Sequence, residues 1–372
     1  MDVFITGSGV YTPEYKISNE ELVQSFNQFV QSYNECHQEQ INSGELKELA
    51  FSSEEFILKA SGISSRYVIE KEGVLNPDIM HPLIEERKDD ELSLQAEVAV
   101  DAAKKALINA NKSAEEIDAV ICACSSTQRP FPAMAIEVQK ALGIKGFGYD
   151  MNVACSSATF AIANAKGLID AGLANSVLIV TPEICSAQLN FRDRDSHFIF
   201  GDVATALVIE NETQVKSDNA YKIIDIQLST EFSSNVRNNA GFMNRLTPGC
   251  EGAKDKLFYQ NGRKVFKEVT TEVVRLIRQQ IENMHLSIDD FKRLWLHQAN
   301  IHMNRLIVEK LTGRELSDKL APVILNEYAN TAGAGSIIAF SKYQQDLSSG
   351  DKVLLCSFGA GYSIGSIVLQ RH

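Results

Sequence analysis

A chain of 372 residues, 44% of them hydrophobic, can bury a large core; its length suits two domains or one large duplicated unit and excludes a disordered chain. Its 36 basic and 48 acidic residues leave a net charge of −12, which opposes nucleic acid or an anionic membrane as the main partner and leaves room for a local basic patch. No apolar run reaches bilayer length, and the opening "MDVFITGSGVYTP" has neither the basic region nor the long apolar segment of a signal peptide, so a cytoplasmic protein is expected.

In chain order, the strand "VFITGSGVY" is followed by residues 19–60, where Leu22, Phe26, Phe29, Val30 and Tyr33 recur at helical spacing and predict helices rather than a linker. Residues 70–93, charged and punctuated by proline, read as a surface excursion. Then come helix "EVAVDAAKKALINA", strand "AVICACSS", helix "AMAIEVQKAL", strand "GYDMNV", helix "SATFAIANAKGLIDAG" and strands "SVLIVTPE" and "ATALVIE". The second half repeats the plan with "YKIIDIQLST", helix "KVFKEVTTEVVRLIRQQIENM", strand "LWLHQAN", helices "MNRLIVEKLTG" and "AGAGSIIAFSKYQQDL", and strands "DKVLLCSFGAGY" and "GSIVLQR". This alternation predicts a duplicated α/β fold, with halves at 1–220 and 221–372 and insertions at about 19–60 and 70–93 in the first.

The seven cysteines, Cys36, Cys122, Cys124, Cys155, Cys185, Cys250 and Cys356, are odd in number and lack paired metal-ligand spacing, which fits reduced thiols. Cys122 and Cys124 share a strand face with no second pair beside them, so no metal is expected. Cys155 differs from the rest because it opens the small-residue helix of "DMNVACSSATFAIANA", where the helix dipole and unpaired N–H groups favour a thiolate. A buried cysteine by itself is more often inert packing. Two further residues change that reading: His297 ends the apolar strand of "LWLHQAN", and Asn330 sits on the turn of "EYANTAGAGS". The small-residue turn "SFGAGYSIGS" adds N–H groups suited to an oxyanion.

The motifs "CSSTQRPFPAMAIEVQKALGIKG", "VACSSATFAIANA", "RDSHFIFGDVATALVIE", "NGRKVFKE", "LWLHQANIHMNRL", "YANTAGAGS" and "SFGAGYSIGS" fall in the order seen in the β-ketoacyl-acyl carrier protein synthase III family of the thiolase superfamily, which the chain resembles almost end to end. The resemblance implies the thiolase-like fold, two βαβαβαββ halves in a five-layered α-β-α-β-α sandwich, and a homodimer. It implies that Cys155 is acylated, that His297 and Asn330 bind the malonyl thioester carbonyl, and that the N–H groups of Cys155 and Ala360 form the oxyanion hole. It assigns Phe131, Arg194, Phe266, Gly262 and Phe56 to substrate binding, Phe131 reaching into the partner's acyl pocket. It also implies an acyl carrier protein partner, received by a basic rim of Arg263, Lys264, Lys267, Arg305 and Lys310, and no cofactor beyond coenzyme A and carrier-protein thioesters as substrates.

Departures from the family's pattern sharpen the expectation. The tryptophan and arginine that sandwich adenine correspond to Phe56 and Ala60, while the second arginine remains as Arg194, and His302 stands where the family has an exposed arginine. With fewer groups to hold coenzyme A, a longer acyl chain is expected to supply binding, at about 0.8 kcal/mol per buried methylene and about six to ten carbons, roofed by the helices of residues 19–60. Ser357 occupies the place of the thiolases' second cysteine, with Cys356 turned to the opposite strand face, so thiolytic cleavage is disfavoured. The expected reaction is decarboxylative condensation of an acyl primer with malonyl-acyl carrier protein through acyl-Cys155. The alternatives are a type III polyketide synthase-like or other specialised-lipid ketosynthase acting on coenzyme A esters, or a non-condensing thioester-binding or hydrolytic protein.

Overall fold

A computed structural model describes residues 1–88, 90–239 and 256–372; Cys250 lies outside the described residues. The first repeat contains β1 (Val3–Tyr11), β2 (Tyr15–Ser18), α1 (Asn19–Cys36), α2 (Gln38–Asn42), α3 (Glu54–Ser61), β3 (Ser65–Val68), α4 (Glu72–Leu75), α5 (Leu94–Asn109), β4 (Ala119–Ala123), α6 (Met134–Leu142), β5 (Phe147–Met151), α7 (Ser157–Asp170), β6 (Ser176–Ile184) and β7 (Asp202–Asn211). The second contains β8 (Tyr221–Ser233), β9 (Val236–Arg237), β10 (Tyr259–Gln260), α8 (Gly262–Asn283), β11 (Phe291–Leu296), α9 (Ile301–Thr312), α10 (Leu325–Tyr328), α11 (Gly335–Lys342), β12 (Lys352–Gly359) and β13 (Gly361–Arg371).

The main sheet runs β11-β12-β13-β8-β1-β7-β6-β4-β5. Read outward from its centre, the order β1-β7-β6-β4 is repeated by β8-β13-β12-β11, with the same parallel and antiparallel pairings. Among the described residues the two half-sheets pair with each other at two register positions, Phe4 with Lys222 and Ile5 with Tyr221. Beyond β4 the first repeat adds β5; in the second, α9 leads instead into a turn whose Leu320 carbonyl accepts from Leu294 N–H at 2.7 Å.

Strand alternation explains the layering, because successive side chains point to opposite faces. In β4, Ala119 and Ile121 pack with α7 and α11 in a central core, while Val120 and Cys122 pack outward with α5 and α6. In β12, Val353 and Leu355 join the same central core, while Leu354 and Cys356 face α8 and α9. Outer helices, half-sheet, central helices, half-sheet and outer helices make the five layers of the thiolase-like fold. The central helices are rich in alanine and isoleucine because both their faces are covered by strands.

Residues 19–60 fold as the helices α1, α2 and α3, except that residues 43–53, expected to be helical too, form a non-helical connection. Ser18 caps α1 in a reciprocal capping box with Glu21, and Leu22, Phe26 and Val30 bury one face against Ile57 of α3, Phe191 and Phe198. Residues 70–93 leave Leu83 and Ile84 exposed but are pinned by Val74 and Met80, both buried in the same cluster. Among the described residues no helix is long and apolar enough to cross a membrane.

Candidate active site

A cavity of about 560 Å³ opens between the inserted helices and the second repeat, lined by Phe56, Phe198, Phe200, Phe258, Phe266 and Phe358, and it contains Cys155, His297 and Asn330. Three residues distant in sequence thus share one apolar chamber. Cys155 lies in a tight turn, Ala154–Ser156, that leads into α7. Ala154 holds φ +48° there, and its N–H donates to Asn152 Oδ1 at 2.8 Å. The backbone N–H groups of Ala360 and of Cys155 itself lie close enough to the Cys155 sulfur to favour its ionised form. Gly359 makes the approach possible: a Cβ there would lie 2.5 Å from Cys155 Cβ and 2.9 Å from its sulfur.

The resting thiol is not a ready thiolate. Burial pushes the Cys155 thiol up to about 12, helped by the Glu183 carboxylate and only partly offset by the two N–H donors. The helix start alone favours the charged form, but loss of hydration outweighs it at this depth.

His297 follows β11, its N–H donating to Cys356 O at 2.8 Å and its ring meeting Phe358 edge-on at 5.2 Å. Burial lowers its imidazole to about 4, so the ring is neutral at pH 7. Asn330 is held on both sides by backbone bonds, its N–H to Ile199 O at 2.9 Å and its carbonyl from Gly201 N–H at 3.1 Å. Its Oδ1 accepts from Ala332 N–H at 2.9 Å, which leaves Nδ2 as the free donor. A neutral imidazole and a carboxamide N–H suit a carbonyl that gains negative charge.

At the mouth, the Arg194 guanidinium stacks on the Phe56 ring at 3.8 Å, with its Nε donating to Phe51 O at 2.7 Å. Ala60, Gly262 and Arg263 line the same opening, as does His302, which bonds to Lys59 O at 2.9 Å. Phe131 does not enter this cavity and is 80% exposed.

Residues 149–231 match the family described as 3-oxoacyl-[acyl-carrier-protein (ACP)] synthase III, and residues 281–371 match its C-terminal part. The β-ketodecanoyl-[acyl-carrier-protein] synthase of Pseudomonas aeruginosa is 54% identical over 350 residues, 94% of this chain and all of that one. A β-ketoacyl-[acyl-carrier-protein] synthase III of Clostridium perfringens is 28% identical over 98% of both chains. The solved synthase III of Thermus thermophilus superposes with a TM-score of 0.76 at 26% identity over 99% of both chains. The chain belongs to the synthase III family. It is an acyltransferase that forms β-ketoacyl thioesters by condensation.

Within the synthase, Ser357 is buried and bonds Ser336 through their hydroxyls at 2.7 Å, while Cys356 packs in the outer core, away from Cys155. Arg263, Lys264, Lys267 and Arg305 are exposed near the cavity, on the first turns of α8 and on α9. Lys310 is exposed too, but it lies two turns beyond His302 on α9, roughly 12 Å further along the axis. Among the described residues none of these five cations forms an ion pair. One residue escaped sequence reasoning. Glu183 ends β6 as a buried carboxylate beside Cys155, raised to about 7 by burial; an acid inside the otherwise apolar run "SVLIVTPEI" was its only signal.

Proposed function

We propose that the synthase primes on an eight-carbon acyl thioester and extends it with malonyl-acyl carrier protein. The observation that carries this is the cavity, whose walls are phenylalanine-rich from the mouth to Cys155. The relative's name supports the length: a ten-carbon product less the two carbons retained from malonyl leaves eight. Six more methylenes than acetyl would offer up to about 5 kcal/mol of burial, enough to compensate for alanine at position 60, which has no cation to set against adenine.

In this reading the primer, on coenzyme A or a carrier, exchanges onto Cys155: the acyl carbon bonds sulfur, and the thiol proton leaves with the carrier thiol. Because the thiol is protonated at rest, that transfer accompanies attack. His297 and Asn330 then hold the malonyl thioester oxygen as carbon dioxide departs, stabilising the enolate. The enolate carbon attacks acyl-Cys155, the N–H groups of Cys155 and Ala360 receive the oxyanion, and collapse releases 3-oxoacyl-carrier protein and the cysteine thiolate, which takes a proton from water to restore the thiol. The chain's own groups and the two thioesters supply this chemistry without a cofactor. The cations from Arg263 to Arg305 receive the acidic carrier protein. Exposed Phe131 completes the partner's acyl pocket in a cytoplasmic homodimer.

Intact-protein mass spectrometry of Cys155 acylation across an acetyl to dodecanoyl series tests the primer. A maximum at octanoyl is expected; a maximum at acetyl sinks the chain-length proposal.

A further inference from the structure

Behind Cys155 and Asn330 lies a carboxylate that the condensation steps leave unused. Glu183 is 1% exposed. Its Oε2 accepts from the Ser125 hydroxyl at 2.5 Å, and its Oε1 accepts from Ser125 N–H at 2.9 Å and from Gly333 N–H at 3.1 Å. The Ser125 carbonyl in turn accepts from Asn152 Nδ2 at 2.8 Å, and Asn152 Oδ1 accepts from Ala154 N–H at 2.8 Å. Ala154 immediately precedes Cys155. On the other side, Gly333 follows Ala332, whose N–H is the donor to Asn330 Oδ1. A hydrogen-bonded strut therefore runs from the Asn330 turn, through Glu183, Ser125 and Asn152, to the Cys155 turn.

We propose that Glu183 is a positioning residue for the condensation, its carboxylate fixing the distance between the Cys155 turn of the first repeat and the Asn330 turn of the second. The proposal rests on the roles given to those residues in the preceding subsection. The chemistry of the strut requires an acceptor at this place. Two N–H groups and a hydroxyl converge on Glu183, with the Cys185 thiol a fourth donor at 4.0 Å from Oε2, and a carboxylate offers only acceptor atoms, whereas an amide turns an NH₂ toward one of them. The fit is close, since a Cβ on Gly333 would stand 3.0 Å from Glu183 Oε1. The titratable groups facing the carboxylate are the thiols of Cys124, Cys155 and Cys185, and among the described residues no cation pairs with it. Its negative charge opposes ionisation of Cys155, so removing that charge makes the thiol more acidic.

Two variants of the full chain separate the charge from the strut. Glu183→Gln removes the charge and sets a donor against a donor, while Asn152→Ala cuts the last link at an exposed residue and keeps the charge. The readouts are condensation kcat and KM with malonyl-acyl carrier protein, and iodoacetamide alkylation of Cys155 against pH, mapped by peptide mass to separate it from exposed Cys36. For Glu183→Gln, alkylation at pH 8 is expected to quicken about three- to tenfold, while kcat falls on the order of ten- to a hundredfold with KM within about twofold. For Asn152→Ala, alkylation stays at the wild-type rate and kcat falls roughly fivefold or more. A folded Glu183→Gln with wild-type kcat, or Asn152→Ala with wild-type kcat, overturns the positioning role. If Glu183→Gln fails to fold, Asn152→Ala decides. A wild-type protein that neither acylates Cys155 nor decarboxylates malonyl-acyl carrier protein sinks the functional reading instead, and the alkylation arm, which needs no substrate, still reports on Glu183.

Discussion

The starts of the two central helices are copies of one another. In the first repeat Ala154, at φ +48°, leads through Cys155 and Ser156 into α7; in the second Ala332, at φ +45°, leads through Gly333 and Ala334 into α11. The backbone is the same, yet one turn presents a thiol to the cavity and the other presents only an N–H to Glu183. The turn therefore supplies geometry, and the side chain it carries supplies chemistry. The second repeat delivers its reactive groups elsewhere, as Asn330 ahead of the equivalent turn and His297 after β11. Cys155 and the pair His297 and Asn330 thus come from separate repeats yet face one cavity, and Asn330 is held there by the first repeat's Ile199 and Gly201.

Making the first turn like the second should have the largest effect. Cys155→Gly is expected to abolish acyl-enzyme formation and lower condensation by roughly 10³-fold or more, read by intact mass after incubation with octanoyl-coenzyme A. Stable acylation at another cysteine with condensation retained would remove the nucleophile assignment.

Stripping the second repeat of its donors should separate the half-reactions. His297→Ala and Asn330→Ala are expected to leave Cys155 acylation within about fivefold and to slow malonyl decarboxylation by about 10²–10³-fold. Equal loss of both half-reactions in a folded protein contradicts this division. The pH profile sharpens it. His297 has a folded value of about 4 against 6.5, so its neutral form persists down to about pH 5, while the stability gained by burying it neutral is fully present above about pH 6.5 and is lost as pH falls toward 4. Read in Glu183→Gln, where the carboxylate near 7 no longer titrates, decarboxylation should keep its plateau down to about pH 5. An acid limb centred at 6.5 would show that the imidazole is not buried in the working enzyme.

The smallest effect belongs to the mouth, far from both turns. Arg194→Ala removes a cation stacked on Phe56, an interaction worth about 0.5–1 kcal/mol at an exposed site. KM for octanoyl-coenzyme A should rise about two- to fivefold with the acylation rate at saturation unchanged. A fall in that rate would place Arg194 closer to the chemistry than its stacking implies.

The sequence by itself determined the alternation of strands and helices, because periods of two and 3.6 are written locally, and the helices of residues 19–60, because Leu22, Phe26 and Val30 repeat on one face. It also marked Cys155, His297 and Asn330 through motifs whose neighbours are small or apolar enough to stand out. Only the tertiary structure brought those three into one cavity, showed that Val74 and Met80 pin the charged excursion, and set Lys310 apart from the other rim cations. It alone decided the state of the thiol: the helix start argues for a thiolate, but burial and Glu183 hold the proton on. Glu183 itself was invisible as a participant because its partners come from 58 and 150 residues away. A buried carboxylate is defined by the donors that converge on it, and convergence over such separations exists only once the two repeats have packed.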